Sequence, residues 1–267
     1  MLSELVAVTD ATVVMSQSAA TRLATVYGID ERRLHVIPHG VPELPFVDGA
    51  TVKPLLGVED RQVILSFGLL GPGKGYELAI AALPEVVAAN PSVLYVVVGE
   101  THPDLVRTGG EAYREGLVAK VASLGLQDHV RFVDRYVGRV ELTKWLEAAD
   151  VFVTPYPNLD QIVSGTLSYA MGAGRPVVST PYAYADEVLA DGRGVLVPPG
   201  SPVALGAALN ELLGDPDLRE AIGRRAYAYS RRMVWSAVGT EYRDLFAQVV
   251  GANRPIAQPA RMVAAGA

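Results

Sequence analysis

The chain has 267 residues, of which 50% are hydrophobic and 19% are charged, and this composition is typical of a folded globular protein rather than a disordered one. The 23 Lys and Arg residues against 29 Asp and Glu residues give a net charge of −6, which argues against a chain that coats nucleic acid or an anionic membrane. Because there is no cysteine, disulfides, cysteine zinc sites and thiol catalysis are excluded.

The N-terminal part of the chain predicts two short strands and a helix. Ala11–Ser16 is predicted to be a strand, Gln17–Tyr27 a helix, and Leu34–Val41 a second strand that ends at the turn Pro38-His39-Gly40. We interpret His39 as a structural residue of that turn. The following stretch, Val41–Lys53, contains proline and glycine and is predicted to be a linker.

The central part alternates short apolar runs with helical patterns. The runs are rich in Val, Ile and Phe, as strands buried on both faces should be. The predicted strands are Val63–Phe67, Val93–Val98, His129–Val133, Val151–Thr154, Pro176–Ser179 and Gly194–Val197. The clearest helical patterns between them are Glu111–Leu126 and Val140–Asp150. This alternation predicts an α/β fold with a doubly wound, Rossmann-like parallel sheet, in which ligands bind at the carboxyl ends of the strands.

The C-terminal part predicts helices at Pro202–Leu213, Pro216–Met233 and Val234–Val250. The last of these has an apolar face that we expect to be covered by Leu2–Val41 or by another chain. That face is formed by Trp235, Val238, Tyr242 and Leu245. Residues 251–267 have no periodic pattern, and we expect them to be disordered.

A glycine-rich turn follows the first strand of the predicted sheet. Gly68 and Gly73-Lys74 have the spacing of a Walker A loop, but the position that should carry the Mg²⁺-binding Ser or Thr is Gly75. The turn fits a phosphate cradle, because glycines free backbone amides to face a ligand and Lys74 adds a cation. The alternative is a tight structural turn with a solvated lysine.

A second polar loop follows the strand that ends at Thr154 and leads into a helix that begins near Ser164. Ser164 and Thr166 are good N-cap candidates, and the exposed amides of such a helix attract anions. The alternative is an ordinary capped helix. Two turns suited to anions at one edge of a parallel sheet favour a binding site.

Four motifs, in this order along the chain, carry a resemblance to a known family. They are the strand, helix and turn from Ala11-Thr-Val-Val-Met-Ser16 through Arg33-Leu-His-Val-Ile-Pro-His-Gly40, then Gly68-Leu-Leu-x₃-Lys74-Gly75, Ala149-Asp-Val-Phe-Val-Thr-Pro155 and Tyr169-Ala-Met-Gly-Ala-Gly-Arg-Pro-Val-Val178. With them the chain resembles, from about Ala11 to Val250, the donor-binding half of the retaining glycosyltransferases of the GT-B fold, in the family named glycosyl transferases group 1.

The resemblance implies that Lys74 grips the diphosphate of a nucleotide-sugar and takes part in catalysis. The other residues that it assigns to the diphosphate are Gly71, Gly73, Gly75, Ser164, Gly165 and Thr166. The family is metal-independent as a rule, so basic groups and amides replace Mg²⁺ in stabilising the departing nucleoside diphosphate. We therefore expect neither a metal nor a cofactor, and Gly75 need not be Ser or Thr.

Three positions depart from the family pattern. The family places one Glu near the donor sugar and a second at the nucleoside ribose, and here these are Gln161, a candidate catalytic residue, and Tyr169. An arginine that the family has beside the lysine is Leu69 here, which removes a bidentate phosphate partner. Arg135 follows a strand and could supply part of the missing charge, or form a surface ion pair. The acidic pair Asp186-Glu187 is interpreted as surface carboxylates that interact with the dipole at a helix N-terminus.

The resemblance also implies a domain organisation. Residues 1–44 are expected to be a short remnant of the N-terminal acceptor domain and linker, and residues 45–233 the nucleotide-sugar donor-binding domain. Residues 234–250 are expected to form the C-terminal crossing helix. A partner that supplies the missing N-terminal domain, or a second copy of the chain, is implied.

Two kinds of function fit these features. The first is a glycosyltransferase of hexosyltransferase type that uses a GDP- or UDP-linked sugar and an unknown sugar, lipid or glycan acceptor. The second is a non-catalytic nucleotide-sugar-binding subunit that needs a separate acceptor domain. A phosphohydrolase or nucleoside triphosphatase rests on Gly68–Lys74 alone. With no signal peptide and no apolar run near the ~20 residues of a membrane span, we expect a cytoplasmic protein, peripheral at most to the inner face of the membrane.

Overall fold

The computed structural model, which describes residues 2–252, begins with a short helix and a two-stranded parallel sheet. Helix α1 spans Leu2–Ala7, strand β1 spans Thr12–Val14, helix α2 spans Gln17–Tyr27 and strand β2 spans Leu34–Val36. The predicted helix is therefore confirmed, whereas both strands are shorter than predicted. Their parallel pairing through an intervening helix is a small βαβ unit.

The main sheet has six parallel strands in the order β5-β4-β3-β6-β7-β8. Its strands are β3 (Gln62–Phe67), β4 (Val93–Val98), β5 (Val130–Val133), β6 (Val151–Thr154), β7 (Val177–Ser179) and β8 (Val195–Leu196). The chain winds outward from β3 to one edge and then returns to β6 and winds to the other edge. The topological switch point therefore lies between β3 and β6.

Helices cover both faces of this sheet, as predicted for a doubly wound fold. The helices that follow β3 along the chain are α3 (Tyr76–Ala89), α4 (Pro103–Gly109), α5 (Ala112–Ser123), α6 (Arg139–Ala148), α7 (Gly165–Gly172), α8 (Ala183–Val188), α9 (Pro202–Gly214), α10 (Pro216–Ser230) and α11 (Trp235–Ala252). Of these, α3, α5 and α9 pack on one face of the sheet and α6, α7 and α8 on the other. All six residues of β4 are buried, because alternate side chains enter two separate cores. Tyr95 and Val97 pack with α3, α5 and α9, while Leu94 and Val96 pack with α6, α7 and α8. The α/β fold class is confirmed.

The linker that precedes β3 is tied to the sheet by buried charged groups. Lys53 pairs with Asp150 at 2.7 Å, and the same carboxylate accepts a hydrogen bond from the backbone N–H of Val63 at 2.6 Å. Arg175 donates to the carbonyl of Val47 at 2.9 Å, and its burial lowers the pKa of the guanidinium. A stretch predicted as a plain linker is thus an ordered strap at the amino ends of β6 and β7.

Helix α11 packs on the N-terminal sheet. Val238 and Leu245 are buried against Ile37, and Tyr242 packs beside them. The predicted apolar face is therefore covered by the N-terminal segment, except that Trp235 remains 55% exposed. The helix runs through Ala252, past the predicted end, and the rest of the expected disordered tail lies outside the described residues.

Candidate functional site

The two loops singled out in the sequence meet at the switch point of the main sheet. Strand β3 ends at Phe67 and is followed by the glycine-rich turn, and β6 ends at Thr154 and is followed by the loop into α7. The strands are adjacent in the sheet, so both loops lie at the same carboxyl edge. In sheets of this kind, the crevice at the switch point is where ligands bind.

The glycine-rich turn is shaped by close backbone contacts. Gly75 has φ +69°, and a Cβ built on it would lie 2.9 Å from the carbonyl carbon of Pro155 and closer still to its oxygen. Gly68 has φ +129°, and a Cβ there would lie 3.5 Å from Cγ2 of Thr166. A Walker A serine has no room at Gly75, which explains why this position is glycine.

The turn leaves amide groups available to a ligand. Pro72–Lys74 forms one 3₁₀ turn, closed by the Lys74 N–H, which donates to the carbonyl of Gly71 at 3.0 Å. The N–H groups of Gly71, Gly73 and Gly75 form no hydrogen bond within residues 2–252. These amides lie just before the N-terminus of α3, whose dipole favours an anion.

The start of α7 forms the opposite side of the crevice. Ser164 caps the helix, with its Oγ accepting from the Leu167 N–H at 3.4 Å and lying 3.2 Å from Oγ1 of Thr166. The N–H groups of Gly165 and Thr166 have no partner in the described part of the chain. The structure thus brings both predicted anion-suited turns together.

Lys74 is the cation of this crevice. Its Nζ lies 4.5 Å from the centre of the Tyr156 ring, and no carboxylate among residues 2–252 forms an ion pair with it. The charge is therefore held by an aromatic face and stays available to an anionic ligand.

Two of the three positions that depart from the family pattern lie close together in the chain, Gln161 in the loop between β6 and α7 and Tyr169 in α7. Gln161 donates from Nε2 to the carbonyl of Val163 at 2.9 Å, so its amide is turned back on its own loop. Tyr169 has edge contacts with the rings of His39 and Phe67, each at 6.1 Å between centroids. The hydroxyl of Tyr169 forms no hydrogen bond with the described residues.

Arg135 lies after β5, two strands away from the switch point in the order of the sheet. It forms a bidentate ion pair with Glu141 at 2.8 and 2.6 Å. These hydrogen bonds raise the pKa of Arg135 and lower the pKa of Glu141. Its role in donor binding stays a prediction. Leu69, which stands where the family has arginine, is 44% exposed.

His39 was interpreted as structural, and the structure places its ring at the start of α7. Its Nδ1 lies 2.9 Å from the carbonyl oxygen of Gly40, which holds the ring. Its Nε2 is so close to Gly165 that a Cβ on that glycine would lie 2.9 Å away. His39 and Gly165 are 126 positions apart in the chain (165 − 39), so local sequence patterns do not predict this contact.

Helix α2 also supports the loop of Gln161. Ser16, which caps α2, donates to the carbonyl of Ile162 at 2.8 Å, and Arg22 pairs with Asp160 at 3.0 Å. Glu187 accepts from the N–H groups of the first turn of α2 at 3.0 and 2.8 Å. The carboxylate of Glu187 therefore interacts favourably with the N-terminal end of the α2 dipole. The sequence had instead predicted that it lies at the start of its own helix. The N-terminal segment thus holds the loop between β6 and α7 through hydrogen bonds and an ion pair.

Comparison with known proteins identifies the family of this chain. The model of the family described as glycosyl transferases group 1 matches residues 51–229. The chain belongs to this family. The matched residues include the glycine-rich turn, Lys74 and the whole loop from β6 to α7, so both turns of the crevice lie inside the matched range.

Two relatives of this glycosyl transferases group 1 chain have named activities. The D-inositol 3-phosphate glycosyltransferase of Segniliparus rotundus is 31% identical over 242 residues, which cover 88% of this chain and 51% of the relative. The phosphatidyl-myo-inositol mannosyltransferase of Mycolicibacterium smegmatis is 31% identical over 222 residues, which cover 81% of this chain and 52% of the relative. The chain spans about half the length of these curated relatives.

Solved structures share the fold of this glycosyltransferase family member. HepE of Anabaena, crystallised with UDP, has a TM-score of 0.77 at 22% identity, over 90% of this chain and 64% of HepE. The C-terminal domain of LpcC, a glycosyl transferase group 1 family protein of Francisella tularensis, has a TM-score of 0.61 at 23% identity, over 70% of this chain and 93% of that domain. The fold is that of the GT-B glycosyltransferases, as the sequence resemblance predicted.

Residues 2–252 contain neither a membrane-spanning helix nor a cluster of metal ligands. No helix in this range is long and apolar enough to cross a membrane. No group of three or more His, Cys, Asp and Glu side chains in the same range is arranged to hold a metal ion.

Proposed function

We propose that the chain binds the nucleoside diphosphate part of a nucleotide-sugar in the crevice between β3 and β6 and transfers the sugar to an acceptor with retention of the anomeric configuration. One observation carries the proposal. The turn with Lys74 and the start of α7 meet at the switch point, and within residues 2–252 they carry five amides without hydrogen-bond partners and a lysine without an ion-pair partner. A diphosphate is the ligand whose charge and size suit that arrangement.

The chemistry of this site is stabilisation of a leaving group. When the bond between the anomeric carbon and the diphosphate breaks, negative charge develops on the phosphate oxygens. Lys74 and the amides of the two turns are placed to stabilise that charge, and such preorganised groups are most effective in a crevice with little water. The reaction proposed for this site therefore needs neither a metal ion nor a cofactor.

The donor is proposed to be a GDP- or UDP-linked sugar. HepE binds UDP, which makes UDP the first nucleotide to test. The names of both relatives mention an inositol, so inositol-containing acceptors are the first to test. Because the chain covers only about half of each relative, we propose that the acceptor is bound jointly with another domain or chain.

Calorimetry tests the donor site directly. The chain is titrated with UDP, GDP and ATP, each with and without Mg²⁺. We expect one of the nucleoside diphosphates to bind with the same affinity in EDTA, and ATP not to be hydrolysed. Absence of binding by both UDP and GDP would refute the proposal. Radiolabelled UDP- or GDP-sugars with inositol acceptors then test transfer.

A second candidate is a nucleotide-sugar-binding subunit that does not catalyse transfer alone. It is favoured by Gln161, which stands in place of a family carboxylate and whose amide is bonded to Val163. A neutral amide stabilises a cationic transition state less than a carboxylate does. Sugar transfer by the purified chain alone, at a rate above that of Lys74→Ala, would exclude this candidate. Binding without transfer would favour it.

A further inference from the structure

Tyr156 lies where the two halves of the crevice meet. It follows Pro155 at the end of β6 and is only 3% exposed. Its carbonyl accepts from the hydroxyl of Thr180 at 2.6 Å, and its ring stacks on Tyr182 with 5.1 Å between centroids and 16° between planes. Because Tyr182 is fully buried, the ring of Tyr156 is fixed to the core of the domain.

The ring of Tyr156 holds the cation of the glycine-rich turn. Nζ of Lys74 lies 4.5 Å from the ring centre. A carboxylate in that place would compete with a phosphate for the ammonium group. A neutral ring orients the ammonium through a weaker interaction than a charge-assisted hydrogen bond, so an arriving phosphate can take over the charge.

The hydroxyl of Tyr156 holds the other half of the crevice. It lies 2.8 Å from Oγ1 of Thr166, which in turn lies 3.2 Å from Oγ of the helix cap Ser164. Both partners are in the first turn of α7, beside its unpartnered amides. One side chain therefore touches the cation of the first turn and the helix start of the second.

We propose that Tyr156 is a positioning residue that sets Lys74 and the start of α7 as a single diphosphate site and couples their contributions to binding. This inference rests on the proposed function. If the ring sets Lys74, removing the ring must also remove most of what Lys74 contributes. If Tyr156 only fills the core, its replacement and that of Lys74 must act independently.

Two variants separate the ring from the hydroxyl. Tyr156→Phe keeps the ring and removes the hydroxyl, and Tyr156→Leu removes both. UDP and GDP affinities are measured by calorimetry for each variant with and without Lys74→Ala, after circular dichroism has shown that the variant is folded at the temperature used. Tyr95→Phe is the matched control, because it removes a buried tyrosine hydroxyl whose hydrogen bond goes to Ser66 in β3 and not to the crevice.

We expect Tyr156→Phe to have a small effect on nucleotide affinity, and Tyr156→Leu to remove most of the effect of Lys74→Ala. Tyr156→Phe should weaken binding about threefold and leave the effect of Lys74→Ala at about tenfold or more. In the Tyr156→Leu background, Lys74→Ala should weaken binding by less than about threefold. Tyr95→Phe should bind like the wild type. An equal effect of Lys74→Ala in every background would overturn the inference.

A second measurement is made on the free chain and does not depend on nucleotide binding. The aromatic ring should shift the Cε and Nζ resonances of Lys74 upfield in NMR spectra. The shift should persist in Tyr156→Phe and disappear in Tyr156→Leu, and its absence from the wild type would overturn the inference. If the wild type has the shift but binds neither UDP nor GDP, the positioning of Lys74 stands for the free chain while the proposed function and the coupling to binding both fail.

Discussion

Replacing Gly75 with alanine tests the packing of the two turns. The Cβ would lie 2.9 Å from the carbonyl carbon of Pro155, whereas carbon atoms in contact are normally about 3.5–4.0 Å apart. The two backbones would therefore have to separate by about 0.6 Å or more. Such overpacking costs about 1–3 kcal/mol. The left-handed φ of +69° adds about 1–2 kcal/mol for a residue with a Cβ.

The sum, about 2–5 kcal/mol, is a large part of the about 5–15 kcal/mol that stabilises a typical domain. At about 2–4 °C per kcal/mol, a loss of about 3 kcal/mol lowers the melting temperature by about 6–12 °C. Circular dichroism melts and guanidinium titrations of Gly75→Ala measure this loss.

Gly73→Ala is the matched control, because no atom lies within 4 Å of the built Cβ and its φ is not in the left-handed region. We expect that control to melt within about 4 °C of the wild type, because a compatible Gly→Ala change is worth at most about 1 kcal/mol. Equal melting temperatures for the two variants would refute the argument that contact with Pro155 requires a glycine at position 75.

Three further changes test other parts of the molecule. Lys74→Ala should weaken UDP or GDP binding about 10- to 150-fold in calorimetry, since a charge-assisted hydrogen bond is worth about 1.5–3 kcal/mol. Glu187→Gln should lower the unfolding free energy by about 1–2 kcal/mol in guanidinium titrations, since a carboxylate that accepts from the first turn of α2 loses its charge. The hydrogen bond with Arg32 lowers the pKa of Asp30 to about 2. Asp30 therefore stabilises the fold above its usual pKa of 3.8, and this contribution is lost as the pH falls towards 2. In Asp30→Asn, the melting temperature should therefore depend less on pH between about 4 and 2 than it does in the wild type.

Controls for these changes lie close at hand. Lys144→Ala removes a lysine from α6 and should leave nucleotide affinity unchanged. Asp186 is the exposed neighbour of Glu187, and Asp186 itself forms no hydrogen bond to α2. Asp186→Asn should therefore not change the free energy of unfolding by more than about 0.5 kcal/mol. An NMR titration that gave Asp30 a midpoint near 4 would contradict the third prediction.

The sheet and the place of the crevice could be predicted because both depend on local patterns. A run such as Val93–Val98 is apolar at every position only when both faces of its strand are buried, and that requirement also predicts helices on both sides. Once the sheet is parallel, the turns after β3 and β6 must lie at one edge. Gly68–Gly75 and Ser164–Thr166 could therefore be placed together from the sequence.

The side chains that complete the crevice could not be predicted, because their contacts join distant parts of the chain. Tyr156 has the appearance of a core aromatic residue in its own segment, and its role depends on Lys74, which is 82 positions away (156 − 74). Glu187 accepts hydrogen bonds from Gln17 and Ser18, which lie 170 and 169 positions before it in the chain. Helix α4 was also missed, although the sequence His102-Pro103-Asp104 carries a start signal, with a cap from the His102 side chain and Pro at the first helical position.

The hydrogen bonds between α2 and the β6–α7 loop affect how the chain can be divided. Cleavage between residues 44 and 45 would follow the domain boundary that the family resemblance implies. The larger fragment would then have lost the hydroxyl that binds the Ile162 carbonyl and the amides that bind Glu187. It would retain the fold of the sheet, with a loosened segment around Gln161. Adding the excised peptide back should restore order there, because the contacts of the first 44 residues with the β6–α7 loop are non-covalent.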